Sequence, residues 1–320
     1  MVDVLRARVP AVIVPFEAGS EKEQRWRAER LAARGLAAVV TESELSPQTL
    51  FAAVSDRLAA RDIAPREVPA LDGIARSTSI VAAEASAARR RAALRARIVA
   101  GLDRLAASGR RFPFWWRDDD AVEPTPALDR LLALSEATRV PVALAVIPAS
   151  VRESLAEAIE PRRGVSVLQH GWSHENHAPP GAKKAELAAP DPGARRDELA
   201  RGRDRLSGLF GDRFIPVLVP PWNRIASELV PVLPGLGYLA LSTYARDDRA
   251  SAVPGLAQLN THLDPVDWHG GRGLADEGEL LATLAQAVEE RPREPFGILT
   301  HHLVHDPWTW RFIGDVLNLL

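Results

Sequence analysis

The sequence predicts an α/β protein: a deformed parallel (β/α) barrel, preceded by a small Rossmann-like α/β fragment and a long helix. Three observations carry that prediction. From Phe112 onward, short apolar runs alternate with helical stretches in the rhythm of repeated βα units. Polar residues that can do chemistry collect where those runs end, as they do at the C-terminal rim of a parallel barrel. Ahead of them stand one strand-helix-strand-helix unit and an alanine- and arginine-rich segment with helical spacing.

The elements follow in order. Val9 to Phe16 is an apolar strand, Glu17 to Ser20 a turn, and a helix runs from about Glu21 to Arg34, where Gly35 ends it. Leu36 to Val40 is a second strand. Ser46-Pro47 opens a helix to Ala60, with proline in the first turn where its missing N–H costs nothing. About 60 residues make a thin core for strands that need covering on both faces. Residues 62–77, with two prolines and a glycine, are expected to link this unit to one long helix from Thr78 to Ala107. Phe112 to Trp116 then begins a strand that delivers Asp118, Asp119 and Asp120 at its end. The remaining strands are expected at 140–147, 165–169, 213–219, 238–242, 256–259 and 296–300, with helices at 126–137 and 153–159 and an irregular loop at 178–193.

Composition narrows the function. Forty basic against 42 acidic residues leave a net charge of −2, so no global imbalance points to nucleic acid or an anionic surface. The local run Arg89-Arg90-Arg91, with Arg95 and Arg97, lacks interleaved aromatics and is expected on a solvated helix face. Without cysteine there are no disulfides, thiolate metal sites or cysteine nucleophile, which leaves His, Asp and Glu as metal ligands. No secretion signal or apolar run of membrane-spanning length stands out, and the expected location is the cytoplasm.

The chemistry concentrates in His170 and His174, four residues apart after an apolar strand, with His177 as a third candidate. Asp118-Asp119-Asp120 would lie at the same rim. Three adjacent carboxylates repel one another, which a bound cation would offset, although an exposed acidic turn is the plainer alternative. Carboxylates beside imidazoles supply a metal ligand and a general base. Val219 to Arg224, Asp264 to Trp268 and Gly297 to His302 add aromatic walls, more carboxylates and more imidazoles at later strand exits.

Taken in order, these segments resemble the polysaccharide deacetylases, the carbohydrate esterases with a NodB homology domain, over Phe112 to the C-terminus. The family's Thr-Phe-Asp-Asp-Gly is similar to Trp116 to Asp120. That alignment implies Asp118 as general base and Asp119 as metal ligand; a register shifted by one, with Asp119 and Asp120, is the alternative, and the distance to Thr125-Pro126 favours the first. His-Ser/Thr-x-x-His resembles His170 to His174, with Gly171 in place of the hydroxyl residue. Arg-x-Pro-Tyr/Trp is kept only in Pro221 and Trp222, since Val219 stands where the family's arginine steadies the base; Arg224 and Arg117 are the candidates to replace it. Asp264 to Trp268 resembles the fourth motif, implying that Asp267 tunes the acid histidine and Trp268 lines the acetyl pocket. The fifth implies His301 as general acid.

The resemblance implies a metal-dependent hydrolase removing N-acetyl groups from an amino sugar in a polysaccharide, oligosaccharide or glycolipid. The metal is most readily zinc, with cobalt, nickel or iron as alternatives. The backbone N–H near Trp222 would share the oxyanion, with Pro221, Trp268 and Arg224 around the substrate. Two other readings stand beside it: hydrolysis of another non-peptide C–N bond, and an inactive carbohydrate-binding module on the same fold. At the N-terminus, Val9 to Phe16, Glu23-Gln24, Arg34-Gly35-Leu36 and Leu45-Ser46-Pro47 resemble the end of the C-terminal half of a MurG-type glycosyltransferase, which implies Gln24 near a nucleotide-sugar and a functional link to a glycosyltransferase. The expected domains are therefore 1–62, a linker and helix over 63–110, and 111–320.

Overall fold

A computed structural model describes residues 9–16, 22–60, 72–187, 192–244, 253–290, 293 and 295–320. The chain divides into two compact units, residues 1–86 and 87–320.

In the first unit, β1 (Val12–Ile13) pairs in parallel with β2 (Ala38–Val39), Val12 opposite Ala38. Helix α1 (Glu23–Ala33) connects them, and α2 (Pro47–Ala59) follows. The start of α2 is set by Ser46, whose hydroxyl accepts the Thr49 N–H while the Thr49 hydroxyl accepts the Ser46 N–H. Both strands are shorter than the apolar runs that mark them. With two short strands there is little to bury, and Trp26, Phe51 and Leu58 remain exposed. The long helix α3 is Gly73–Ala107, five residues longer at its start than the spacing predicts, and it takes in residues placed in the linker; residues 62–71 of that linker lie outside the described residues.

The second unit is built on seven parallel strands in the order β8-β7-β6-β5-β4-β3-β9. They are β3 (Phe114–Ala121), β4 (Val142–Val146), β5 (Val165–His170), β6 (Phe214–Val219), β7 (Ala240–Leu241), β8 (Ala257–Gln258) and β9 (Phe296–Thr300). Helices α4 (Pro126–Thr138), α5 (Glu153–Ile159), α6 (Pro192–Phe210), α7 (Glu277–Glu290) and α8 (Pro307–Leu319) lie between or after them. The segment after β8 draws the two sheet edges together: Thr261 bridges to Tyr244, and Leu263 bridges to Ile298 of β9. This is the curled, deformed (β/α) barrel that the sequence predicts.

Local chemistry explains the element ends. Thr125 caps α4 through the Leu128 N–H with Pro126 in the first turn, and Asp306 caps α8 through Thr309. The core packs Leu128, Leu131, Leu144, Val167, Leu284, Ile298 and Ile313 against one another, all essentially inaccessible. Arg90, Arg91, Arg95 and Arg97 are ion-paired with Glu279, Glu277 and Glu289 of α7, with Asp315 also holding Arg95. That arginine run is thus a helix-to-helix seam, each exposed pair contributing about 0–1 kcal/mol. No helix among the described residues is long and apolar enough to cross a membrane.

Candidate active site

Strand β3 runs through the three aspartates instead of ending before them. In a regular strand successive side chains alternate faces, so Arg117 and Asp119 share one and Asp118 takes the other. Asp118 is fully buried and turned to β9. Its Oδ2 accepts the Thr300 hydroxyl at 2.6 Å and the His302 N–H at 3.1 Å, and its Oδ1 meets His302 Nδ1 at 2.5 Å. Burial pushes the His302 pKa down, but the Asp118 charge and hydrogen bond outweigh it and leave it raised.

Asp119 faces the opposite way, where Arg117 grips it as a fork: Nε to Oδ1 at 2.8 Å and Nη2 to Oδ2 at 3.0 Å. Arg117 is fully buried and is itself fixed by the Ser242 hydroxyl at 2.6 Å and by Asn223 Oδ1 at 3.3 Å. Of the two arginines that could replace the one missing at Val219, Arg117 holds a site carboxylate. Arg224 donates instead to the Lys184 carbonyl at 2.6 Å.

Asp120 breaks the alternation. Its φ of 76° is left-handed, and the β3–β4 register slips between Asp119 and Ala121. The bulge turns its carboxylate toward the histidines: Oδ1 lies 3.2 Å from His170 Nε2 and 3.4 Å from His174 Nε2. Asp120, His170 and His174 form, among the described residues, the group whose ligand atoms converge as a metal site requires, all within 4.8 Å. The alignment that put Asp119 with the histidines is therefore displaced by one residue, because a bulge at Asp120 is invisible in a uniform run of aspartates. His177 is not among them; its N–H ties the following loop to Ala185.

The donor set fits a divalent cation. Asp120 Oδ1 is buried with no hydrogen-bond donor. The Val219 carbonyl accepts from His170 Nδ1–H at 2.9 Å, which fixes the tautomer and leaves Nε2 free as a ligand. His174, on left-handed backbone with φ 60°, packs its ring 4.4 Å from that of Trp222. Burial works against the Asp120 charge, but the imidazoles that face it, His170 foremost, hold its carboxyl well below the usual range. Burial and the charge of His170 push His174 down.

Gly171 stands where the pattern that this segment resembles has serine or threonine. Its φ is +56°, and a Cβ there would lie 2.0 Å from Glu186 Oε2 and 2.7 Å from Pro221. Installing the hydroxyl residue of the family pattern, Gly171→Ser, is expected to cost about 2–4 kcal/mol through strain and overpacking. A melting temperature equal to that of the parent chain would contradict this.

Opposite the histidine pair, His301 leaves β9 with its ring edge-on to Trp268 at 4.7 Å and its Nδ1 buried without a partner. The carboxylate beside it is Asp264, not Asp267. Burial raises the Asp264 pKa, opposed by the charge of His301 and the hydrogen bond from Trp268 Nε1 at 2.7 Å. Asp267 accepts the N–H groups of His269 and Gly270, and so builds a turn. Trp222 and Asn223 both adopt left-handed backbone, placing the Trp222 ring over His174 and the Asn223 amide on Arg117.

Among solved structures, the chain is similar to polysaccharide deacetylases and family 4 carbohydrate esterases. One, from Mycobacterium smegmatis and assigned as a polysaccharide deacetylase, is 18% identical with a TM-score of 0.49, over 64% of this chain and 83% of that one. A Streptococcus mutans family 4 esterase is 13% identical at 0.45, over 65% and 80%. A Streptomyces lividans family 4 carbohydrate esterase, solved with acetate, is 15% identical at 0.43, over 65% and 87%. Residues 1–68 match the family model of the glycosyltransferase family 28 C-terminal domain. Within that stretch Gln24 is exposed and accepts the Phe16 N–H through its side chain. The comparison with curated proteins gives no match.

Proposed function

We propose that the 87–320 unit is a metal-dependent hydrolase that removes acetyl groups from an acetylated carbohydrate, an N-acetyl amino sugar first among them. The observation that carries this reading is the convergence of Asp120, His170 and His174 beside a second carboxylate, Asp119, that an arginine holds apart from them. That is the kit for hydrolysis: three protein ligands, and a base that need not be one of them.

A divalent cation, zinc by preference, supplies Lewis acidity for an acyl oxygen and lowers the pKa of water when bound there. Asp119 takes the proton of the attacking water. Arg117 occupies two of its carboxylate's lone-pair positions and leaves the others for that proton. The Trp222 backbone N–H donates to the developing oxyanion. His301 gives its proton to the leaving amine, with Asp264 supporting the charged imidazole and Trp268 walling the acyl group. Arg224 and Pro221 border the site from the β6 exit. The glycosyltransferase-like stretch at 1–68 supports a functional link to glycan assembly.

The test pairs elemental analysis with acetate release. The purified chain is expected to carry about one divalent metal and to release acetate from N-acetylglucosamine oligomers, with His170→Ala/His174→Ala losing both. A metal-free chain after reconstitution, or a metal-loaded chain inert on every N-acetylated and O-acetylated glycan tried, would sink the proposal.

A further inference from the structure

We infer that Glu186 is a positioning residue for the metal-ligand turn, an inference that rests on the metal-site reading above. Glu186 is fully buried, and nothing in the proposed chemistry uses it. Its Oε1 accepts the N–H of Trp172 at 3.0 Å, the N–H of Ser173 at 2.7 Å and the Ser173 hydroxyl at 3.3 Å. Its Oε2 is buried with no donor and occupies the space a side chain at residue 171 would fill. One carboxylate therefore gathers the interior of the turn between His170 and His174 and enforces glycine at its head.

The carboxylate is anchored from outside the turn. The Asn176 side chain accepts the Ala185 N–H, the His177 N–H reaches the Ala185 carbonyl, and Leu187 pairs with Ile225 beyond the Trp222 segment. His174 comes directly after the gripped residues, on left-handed backbone that persists only where surroundings over-determine it. Two converging N–H groups bound to an immobile acid do so. Without them the His174 imidazole is free to swing while His170, locked to Val219, stays in place. Being fully buried, Glu186 acts through the turn and not on substrate.

The experiment measures Zn2+ affinity by competition with a chromophoric chelator, and the visible absorption of the Co2+ form, on the full chain. Glu186→Ala is expected to weaken Zn2+ binding about 10–100-fold and to change the Co2+ bands. Glu186→Gln keeps an acceptor oxygen for both N–H groups and is expected to recover most of the affinity. Should the alanine variant fail to fold, Glu186→Asp, which withdraws the carboxylate by one methylene, is expected to show the same weakening. Parent-like affinity and Co2+ spectrum in Glu186→Ala or Glu186→Asp would overturn the inference while leaving the metal site intact, as would Glu186→Gln binding no better than alanine. A parent chain that binds neither metal would instead remove the site reading, and this inference with it.

Discussion

Asp120→Ala is expected to abolish stoichiometric metal binding, whereas Asp119→Asn is expected to keep the metal and lose turnover by about 10²–10⁴-fold. The contrast follows from where the bulge in β3 points the two carboxylates. Asp120 Oδ1 lies between the two histidine Nε2 atoms, and a site with three protein ligands cannot spare one. Asp119 is held by the Arg117 fork, so its amide variant leaves the ligands untouched and removes only a proton acceptor. Metal content and acetate release on the same preparations check both halves. Metal loss in Asp119→Asn with retention in Asp120→Ala would restore the alignment read from the sequence.

Asp118→Ala should damage folding, not chemistry. Both Asp118 oxygens are committed, to Thr300 and His302, and removing one partner of a buried pair costs about 3–5 kcal/mol. In a unit of this size the melting temperature would fall on the order of 10 °C. The loss has a pH signature. His302 has a pKa raised above its ordinary value, so the pair contributes fully below the unfolded histidine's pKa of about 6.5 and less as pH rises through the raised value. The gap between parent and Asp118→Ala is therefore expected to narrow toward alkaline pH in thermal melts. An Asp118→Asn chain as stable as the parent, fully metal-loaded and inactive, would instead make Asp118 the base.

Much of the fold was legible because buried parallel strands announce themselves as short apolar runs; β9 and α5 fall where the sequence places them. The histidine pair was legible for the same reason, since it sits at a strand exit. What stayed hidden depends on backbone dihedrals. Asp-Asp-Asp reads identically in every register, and only the left-handed φ at Asp120 decides which carboxylate meets the histidines. Asp264 and Asp267 flank the same Pro-Val, and a turn that consumes Asp267 cannot be told from one that consumes Asp264. Arg117 carried a usable signal: two residues before Asp119 on a strand, it shares that side chain's face. Glu186 carried none, lying in a lysine- and alanine-rich stretch that reads as surface.

The placement of Arg117 has a bearing on how such a site evolves. The Asp119 carboxylate and the Arg117 guanidinium lie two residues apart on β3, so their mutual alignment is inherited with a single stretch of backbone and does not depend on the β6 exit staying still. The Pro220–Arg224 segment is released from that duty, tied to Arg117 by the 3.3 Å hydrogen bond that Arg117 donates to Asn223 Oδ1. Selection can lengthen, reshape or loosen this rim without disturbing the carboxylate held beneath it.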